Sequence, residues 1–252
     1  MIVFPNAKIN IGLRVVEKRQ DGFHNIESIF YPIFNLCDVL EIVESTELKF
    51  SSTGIEIPGN ASSNLCVKAF DLIKSDFNIP FVNIHLHKVI PIGAGLGGGS
   101  ADAAFMLKAL NDLFELKITS DQLISYAQKL GSDCAFFIEN KPVYAFNKGD
   151  EFESVELDLS DYEIKIKFPD IHIGTAEAYS GITPQKSSYN LKKEIDRPIE
   201  SWKQIIKNDF ENSIFPNHLK IKKVKEQLYA DGAIYASMTG SGSAVFGVFE
   251  KK

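Results

Sequence analysis

Apolar and polar residues alternate strictly near the start of the chain: Ala7, Ile9, Ile11, Leu13 and Val15 against Lys8, Asn10, Gly12 and Arg14. A period of two predicts a half-buried strand. Lys8 and Asn10 would then share the face turned away from the core, about 7 Å apart. Asp21-Gly22 is a turn signal, so the strand reverses and carries Phe23 and His24 back along it. A long apolar segment follows Ser28, and Asp38–Val43 reads as a further strand. The Ser-, Gly-, Pro- and Asn-rich stretch from Ser51 to Ala61 reads as turns. Ser62 or Ser63 then caps a helix with Leu65, Ala69, Leu72 and Ile73 on one face and Asn64 in its first turn.

Val82, Ile84 and Leu86 alternate with Asn83, His85 and His87, predicting a strand. Two histidines with no neighbouring carboxylate or thiol read as solvent-facing rather than as metal ligands. The strand delivers the chain to Pro91-Ile-Gly-Ala-Gly-Leu-Gly-Gly-Gly-Ser100. Glycine loses more backbone freedom on folding than any other residue, so this density suggests that another group must approach the main chain closely. Ser100 reads as the N-cap of a helix carrying Ala103, Leu107, Leu110 and Phe114. A glycine loop opening a helix gathers free N–H groups and the positive end of the helix dipole, which suits phosphate. No lysine follows the glycines, so this is not a Walker A loop. No acidic residue closes a strand about twenty residues on, as the dinucleotide fingerprint requires.

Thr119 and Gln122 form a capping box for a helix with Leu123, Ile124, Ala127 and Leu130, and Gly131 ends it. Asp133 stands at the lip of the apolar run Cys134–Ile138, where a carboxylate must be capped, paired or functional. From Asn147 to Asp161 the composition turns polar and acidic, which places a boundary between residues 1–152 and 153–252. The second part reads as a strand (Ile164, Ile166, Phe168), helices near Trp202–Ile206 and Val224–Leu228, and strands Ala233–Met238 and Ala244–Phe249. The last two flank Thr239-Gly-Ser-Gly-Ser243, equally readable as a plain hairpin turn or as a second wall of a phosphate site. The pattern lacks regular strand–helix alternation and indicates an α+β fold with two layers per domain.

Composition narrows the function classes. The chain has 252 residues, 44% hydrophobic and 24% charged, as expected of a globular protein. A formal charge of −6 argues against nucleic-acid binding by phosphate neutralisation, and Lys220–Lys225 reads as a solvated helix face. Three separated cysteines, no signal peptide and no bilayer-length apolar run predict a cytoplasmic protein with no membrane partner.

Five separated motifs together resemble the GHMP kinase superfamily. They are Pro5-Asn-Ala-Lys-Ile-Asn10, Asp21-Gly-Phe-His24, Gly93-Ala-Gly-Leu-Gly-Gly-Gly-Ser100, Leu130-Gly-Ser-Asp133 and Thr239-Gly-Ser-Gly242. The resemblance runs almost end to end and implies a two-domain α+β fold. Its N-terminal half would be ribosomal-protein-like with a left-handed βαβ unit, and its C-terminal half ferredoxin-like. It implies an ATP-dependent small-molecule kinase, in the branch whose substrate carries cytidine diphosphate. Pro91, Gly93, Ala94, Gly95, Leu96, Gly97, Gly98, Gly99 and Ser100 match the ATP loop, and Asn64 falls where the family approaches adenine. Asp133 resembles the catalytic base and Lys8 its partner. Asn10, Phe23 and His24 match one wall of a cytidine pocket, and Thr175 and Tyr179 a second. Phe23 stands where tyrosine is common, and Ala135 where proline is frequent after the base. Mg²⁺ is implied as the companion of ATP, with no protein ligand named. Homoserine, mevalonate and sugar kinases share the superfamily, and a non-catalytic nucleotide- or RNA-binding module is the alternative from another class.

Overall fold

The Ala7–Val15 alternation does become a strand, but one buried on both faces. Lys8 is 3% exposed and Asn10 is 1% exposed, as covered as the Ile9 and Ile11 between them. Alternation reports only the apolar side of a strand; here the polar side is covered as well.

The computed structural model describes residues 1–185 and 190–251. In chain order, β1 (Ile2–Val3), β2 (Asn6–Lys18), β3 (His24–Cys37), β4 (Val39–Ser45) and β5 (Lys49–Gly54) precede the helix α1 (Leu65–Asp76). Strand β6 (Phe81–Lys88) leads to α2 (Gly98–Leu113), followed by α3 (Ser120–Leu130) and the short α4 (Phe136–Glu139). Then come β7 (Val143–Phe146), β8 (Glu151–Ser154), β9 (Tyr162–Lys167), α5 (Thr175–Ser180) and α6 (Leu191–Ile195). The chain closes with α7 (Trp202–Ile205), α8 (Phe210–Ile214), α9 (Leu219–Ala230), β10 (Tyr235–Met238) and β11 (Val245–Glu250).

Two compact units result, and each gathers several stretches of chain. One comprises residues 1–8, 32–92 and 97–141; the other comprises 9–31, 93–96 and 142–252.

In the first unit a sheet of order β1-β4-β6-β5 has β4 antiparallel and β5 parallel to β6. Helices α1, α2 and α3 pack on one another, and α2 also meets β4 and α4. Alanines at 101, 103, 104 and 109 are all buried in α2, and their small side chains let its neighbours come close on several sides. Part of the stretch expected to be turns is strand: Lys49–Gly54 pairs with β6. This edge strand is Ser- and Thr-rich because its hydroxyls bond the β6 imidazoles. Ser51 Oγ lies 2.9 Å from His85 Nδ1, and Thr53 Oγ1 lies 3.0 Å from His87 Nδ1.

The capping of α1 also differs from expectation. Asn64, not a serine, is the N-cap, and its side chain accepts the Cys66 N–H at 2.8 Å. Asn60 caps a separate 3-10 turn over Ala61–Ser63. The Thr119–Gln122 capping box and the Gly131 stop are both formed.

The second unit contains a sheet of order β10-β11-β9, with α9 packed on β10 and β11. Its core joins Leu13, Val15, Phe210, Ile214, Leu228, Met238 and Val245. A third sheet has order β2-β3-β7-β8.

Candidate active site

Helix α2 starts two residues before Ser100. Gly97 is its N-cap at φ +72°, with no side chain to bond the first turn, so the serine expected as the cap lies inside the helix. Two consequences follow. The N–H groups of Gly98, Gly99 and Ser100 are first-turn donors without intrahelical acceptors. Those of Gly93–Gly97 donate to no main-chain carbonyl among the described residues. Free first-turn donors at a helix N-terminus suit an anion.

In the first unit, Gly97 also fixes the chemistry beside it. A Cβ there would lie 3.0 Å from both Lys8 Cγ and the Phe137 ring. Lys8 is thus threaded along the start of α2, and its Nζ reaches Asp133 Oδ2 at 3.3 Å. The pair is asymmetric: the Lys8 side chain is 4% exposed and that of Asp133 33%. A carboxylate with a fixed cation on one side and open space on the other can receive a proton. Asp133 is held by tight turns after α3, with Cys134 N–H bonded to Gly131 O at 3.1 Å and Phe137 N–H to Cys134 O at 3.2 Å. Cys134 is buried, which pushes its thiol up to about 11 while Ser100 bonds to it. It is a packing residue. Asn64, expected near a nucleotide, is half-buried at the start of α1.

In the second unit, the loop half Gly93–Leu96 rests on the Thr239–Ser243 turn. A Cβ on Gly95, at φ +79°, would fall 2.1 Å from Thr239 O. Thr239 Oγ1 accepts the Asn10 N–H at 3.0 Å and lies 3.0 Å from Gly95 O. Ala244 N–H adds a bond to Ala94 O at 3.1 Å. Asn10 Nδ2 donates to Ser28 Oγ at 2.9 Å, which donates onward to Gly12 O. These contacts brace the glycine loop against the turn.

The aromatic residues of this unit divide. His24 stacks on Tyr179 with centroids 4.5 Å apart, and Tyr179 meets Phe210 edge-on at 4.8 Å. Burial and the Lys18 charge hold His24 below its usual value, which favours the uncharged ring. Phe23 is 59% exposed, with Lys148 Nζ 5.6 Å from its centroid. Thr175, at the start of α5, is exposed. A cavity of about 560 Å³ in this unit is lined by Glu27, Tyr144, Glu153 and Lys192 among others, and by none of the site residues expected from the sequence.

Sequence reasoning missed a buried ion cluster formed by Asp38, Lys88 and Asp102. A signal was present: Asp102 interrupts the otherwise apolar run Ala101-Asp-Ala-Ala104, just past the first turn of α2.

Matches to family models agree with this fold. Residues 64–141 match the GHMP kinases N terminal domain, and residues 189–252 match the GHMP kinases C terminal model. The chain belongs to the GHMP kinase family. It is 53% identical over 251 residues to a 4-diphosphocytidyl-2-C-methyl-D-erythritol kinase from Parabacteroides distasonis, covering 100% of this chain and 92% of that one. A relative of the same name from Cytophaga hutchinsonii is 50% identical, with 100% and 93% covered. The solved structure of a 4-(cytidine 5'-diphospho)-2C-methyl-D-erythritol kinase superposes with a TM-score of 0.85 at 29% identity, covering 98% of this chain and 90% of that one. A homoserine kinase from Cytophaga hutchinsonii, at 16% identity and a TM-score of 0.65 over 98% and 85% of the chains, shares the fold.

Proposed function

We propose that this chain transfers the terminal phosphoryl group of ATP to the 2-hydroxyl of 4-diphosphocytidyl-2-C-methyl-D-erythritol, a step of isoprenoid precursor synthesis. The observation that carries this reading is the buried Lys8 cation paired at 3.3 Å with the part-exposed Asp133 beside the free donors of α2. In the proposed reaction Asp133 takes the proton of the attacking hydroxyl. Lys8 orients that hydroxyl and offsets the developing charge. The loop from Pro91 to Ser100 cradles the phosphates through its backbone, and Asn64 lies toward the adenine. Phosphoryl transfer asks mainly for positioning and electrostatics, which a rigid loop and a fixed cation supply.

Asn10, Phe23, His24, Thr175 and Tyr179 are proposed to hold the cytidine part of the substrate. The His24–Tyr179 stack offers a flat apolar face, and a neutral imidazole offers one donor and one acceptor for a base edge. Mg²⁺ is the proposed companion of ATP and would offset part of its phosphate charge. No group of three or more His, Cys, Asp or Glu among the described residues could hold it, so phosphates and water would supply most of its ligands. The thiols are free, in keeping with a reducing cytoplasm. The RNA-binding alternative lacks the positive charge it would need.

A substrate panel tests the assignment. With ATP and Mg²⁺, ³¹P NMR should show a new phosphomonoester on the cytidine diphospho compound, with kcat/KM at least about 100-fold above homoserine or mevalonate, since those lack the base that the pocket desolvates to hold. Phosphorylation of homoserine and not of the cytidine compound would reassign the chain within its family.

A further inference from the structure

Beneath the start of α2, the first unit holds three charged side chains almost out of water. Lys88 Nζ donates to Asp38 Oδ2 at 2.5 Å and to Asp102 Oδ2 at 2.6 Å. Asp38 is 0% exposed, Lys88 4% and Asp102 2%. The ammonium lies directly under the glycines, since a Cβ on Gly98 would sit 2.9 Å from Lys88 Nζ.

The two carboxylates are not equivalent. Asp38 takes three donors, because its Oδ1 also accepts the N–H groups of Val89 at 2.6 Å and Ile90 at 2.8 Å. Asp102 takes one; its Oδ1 is buried with no hydrogen-bond partner. Two carboxylates against one ammonium leave a net negative charge in a low-dielectric interior, which is costly unless a proton neutralises it. The donor count assigns that proton to Asp102, and the adjacent Asp38 carboxylate can accept a bond from it. Burial, opposed by Lys88, pushes the Asp102 carboxyl up to about 7. Among the described residues, the Cys66 thiol of α1 also faces the cluster, held high first of all by burial.

Asp102 lies four residues beyond Gly98, about 6 Å along the helix axis. Phosphates seated at the α2 N-terminus would repel an ionised Asp102 and leave a neutral one undisturbed. We propose that Asp102 is a proton-linked positioning residue: nucleotide binding at the glycine loop is coupled to completing the protonation of its carboxyl from solvent. The inference rests on the nucleotide reading of the loop. The sign follows from linkage. A group with a higher proton affinity in the bound state favours binding at low pH, so affinity weakens as pH rises through the neutral range.

Isothermal titration with a non-hydrolysable ATP analogue and Mg²⁺, in buffers of different ionisation heat at pH 7, reads the proton count directly. The wild type should take up about half a proton more per nucleotide than Asp102→Asn, because a group near 7 starts half protonated. Asp102→Asn, which mimics the neutral form, should bind the analogue at least as tightly. Equal proton counts in the two proteins overturn the inference while leaving the nucleotide reading intact; no binding by the wild type overturns both. Should circular dichroism show the variant unfolded, carboxyl ¹³C NMR of the wild type decides. One aspartate should titrate near neutral pH and move upward with the analogue, and its absence or immobility overturns the inference.

Discussion

Replacing Asp133 by asparagine should lower kcat by about 10²–10⁴-fold, the usual contribution of a positioned base. The amide keeps the shape of the carboxylate and can still accept a bond from Lys8, so the geometry at 3.3 Å has little reason to change. What it cannot do is take a proton. Binding of an ATP analogue should stay within about threefold, and any change should be toward tighter binding, since a negative charge beside the phosphates has been removed. The split between kcat and nucleotide affinity identifies the role. A variant with near-normal kcat would show that Asp133 is not the base, and one that lost nucleotide binding would place it in the ATP site instead.

The second large effect separates two glycines four residues apart in the same loop. At Gly95 the protein itself fills the space: φ is +79°, and an added Cβ would lie 2.1 Å from Thr239 O, which is backbone and cannot swing aside. Left-handed backbone alone costs an alanine about 1–2 kcal/mol, and the overlap adds about 1–3 kcal/mol. Gly95→Ala should therefore lose roughly 3 kcal/mol, a fall in Tm of about 6–12 °C for a chain of this size. At Gly99 the added Cβ would meet only Leu65 Cδ1, at 4.0 Å. Gly99→Ala should fold with unchanged or slightly higher Tm, because alanine is the better helix former. Its cost should appear in the KM for ATP, raised about tenfold or more, because the proposed complex puts the phosphates in that space. Thermal melts and initial rates on the two variants check both halves, and an unchanged KM in Gly99→Ala would mean that the nucleotide does not approach there.

Local chemistry was readable in the sequence where a side chain acts on its own neighbourhood. Thr119 and Gln122 cap each other across three residues, and that box formed as expected. The start of α2 was misplaced because Gly97–Gly99 carry no side-chain signal, whereas Ser100 has the chemistry of a cap and spends it on Cys134 instead. Lys8 and Asn10 looked solvent-facing because alternation marks one apolar face and is silent on the other. Their cover comes from far along the chain: Gly97 and Phe137 for Lys8, Thr239 for Asn10. The Asp38–Lys88–Asp102 cluster was hidden for the same reason, its members lying 50 and 14 residues apart. The family was nonetheless legible, because five motifs in one order are more specific than any alone.

The most direct test is the structure of the ternary complex with a non-hydrolysable ATP analogue and 4-diphosphocytidyl-2-C-methyl-D-erythritol. The expected result places the phosphates on the backbone of Gly93–Ser100 and the substrate 2-hydroxyl about 2.6–3.2 Å from the Asp133 carboxylate, with Lys8 Nζ in reach of the same oxygen. A hydroxyl lying more than about 5 Å from Asp133, beyond direct or water-bridged proton transfer, would contradict the roles given to both residues.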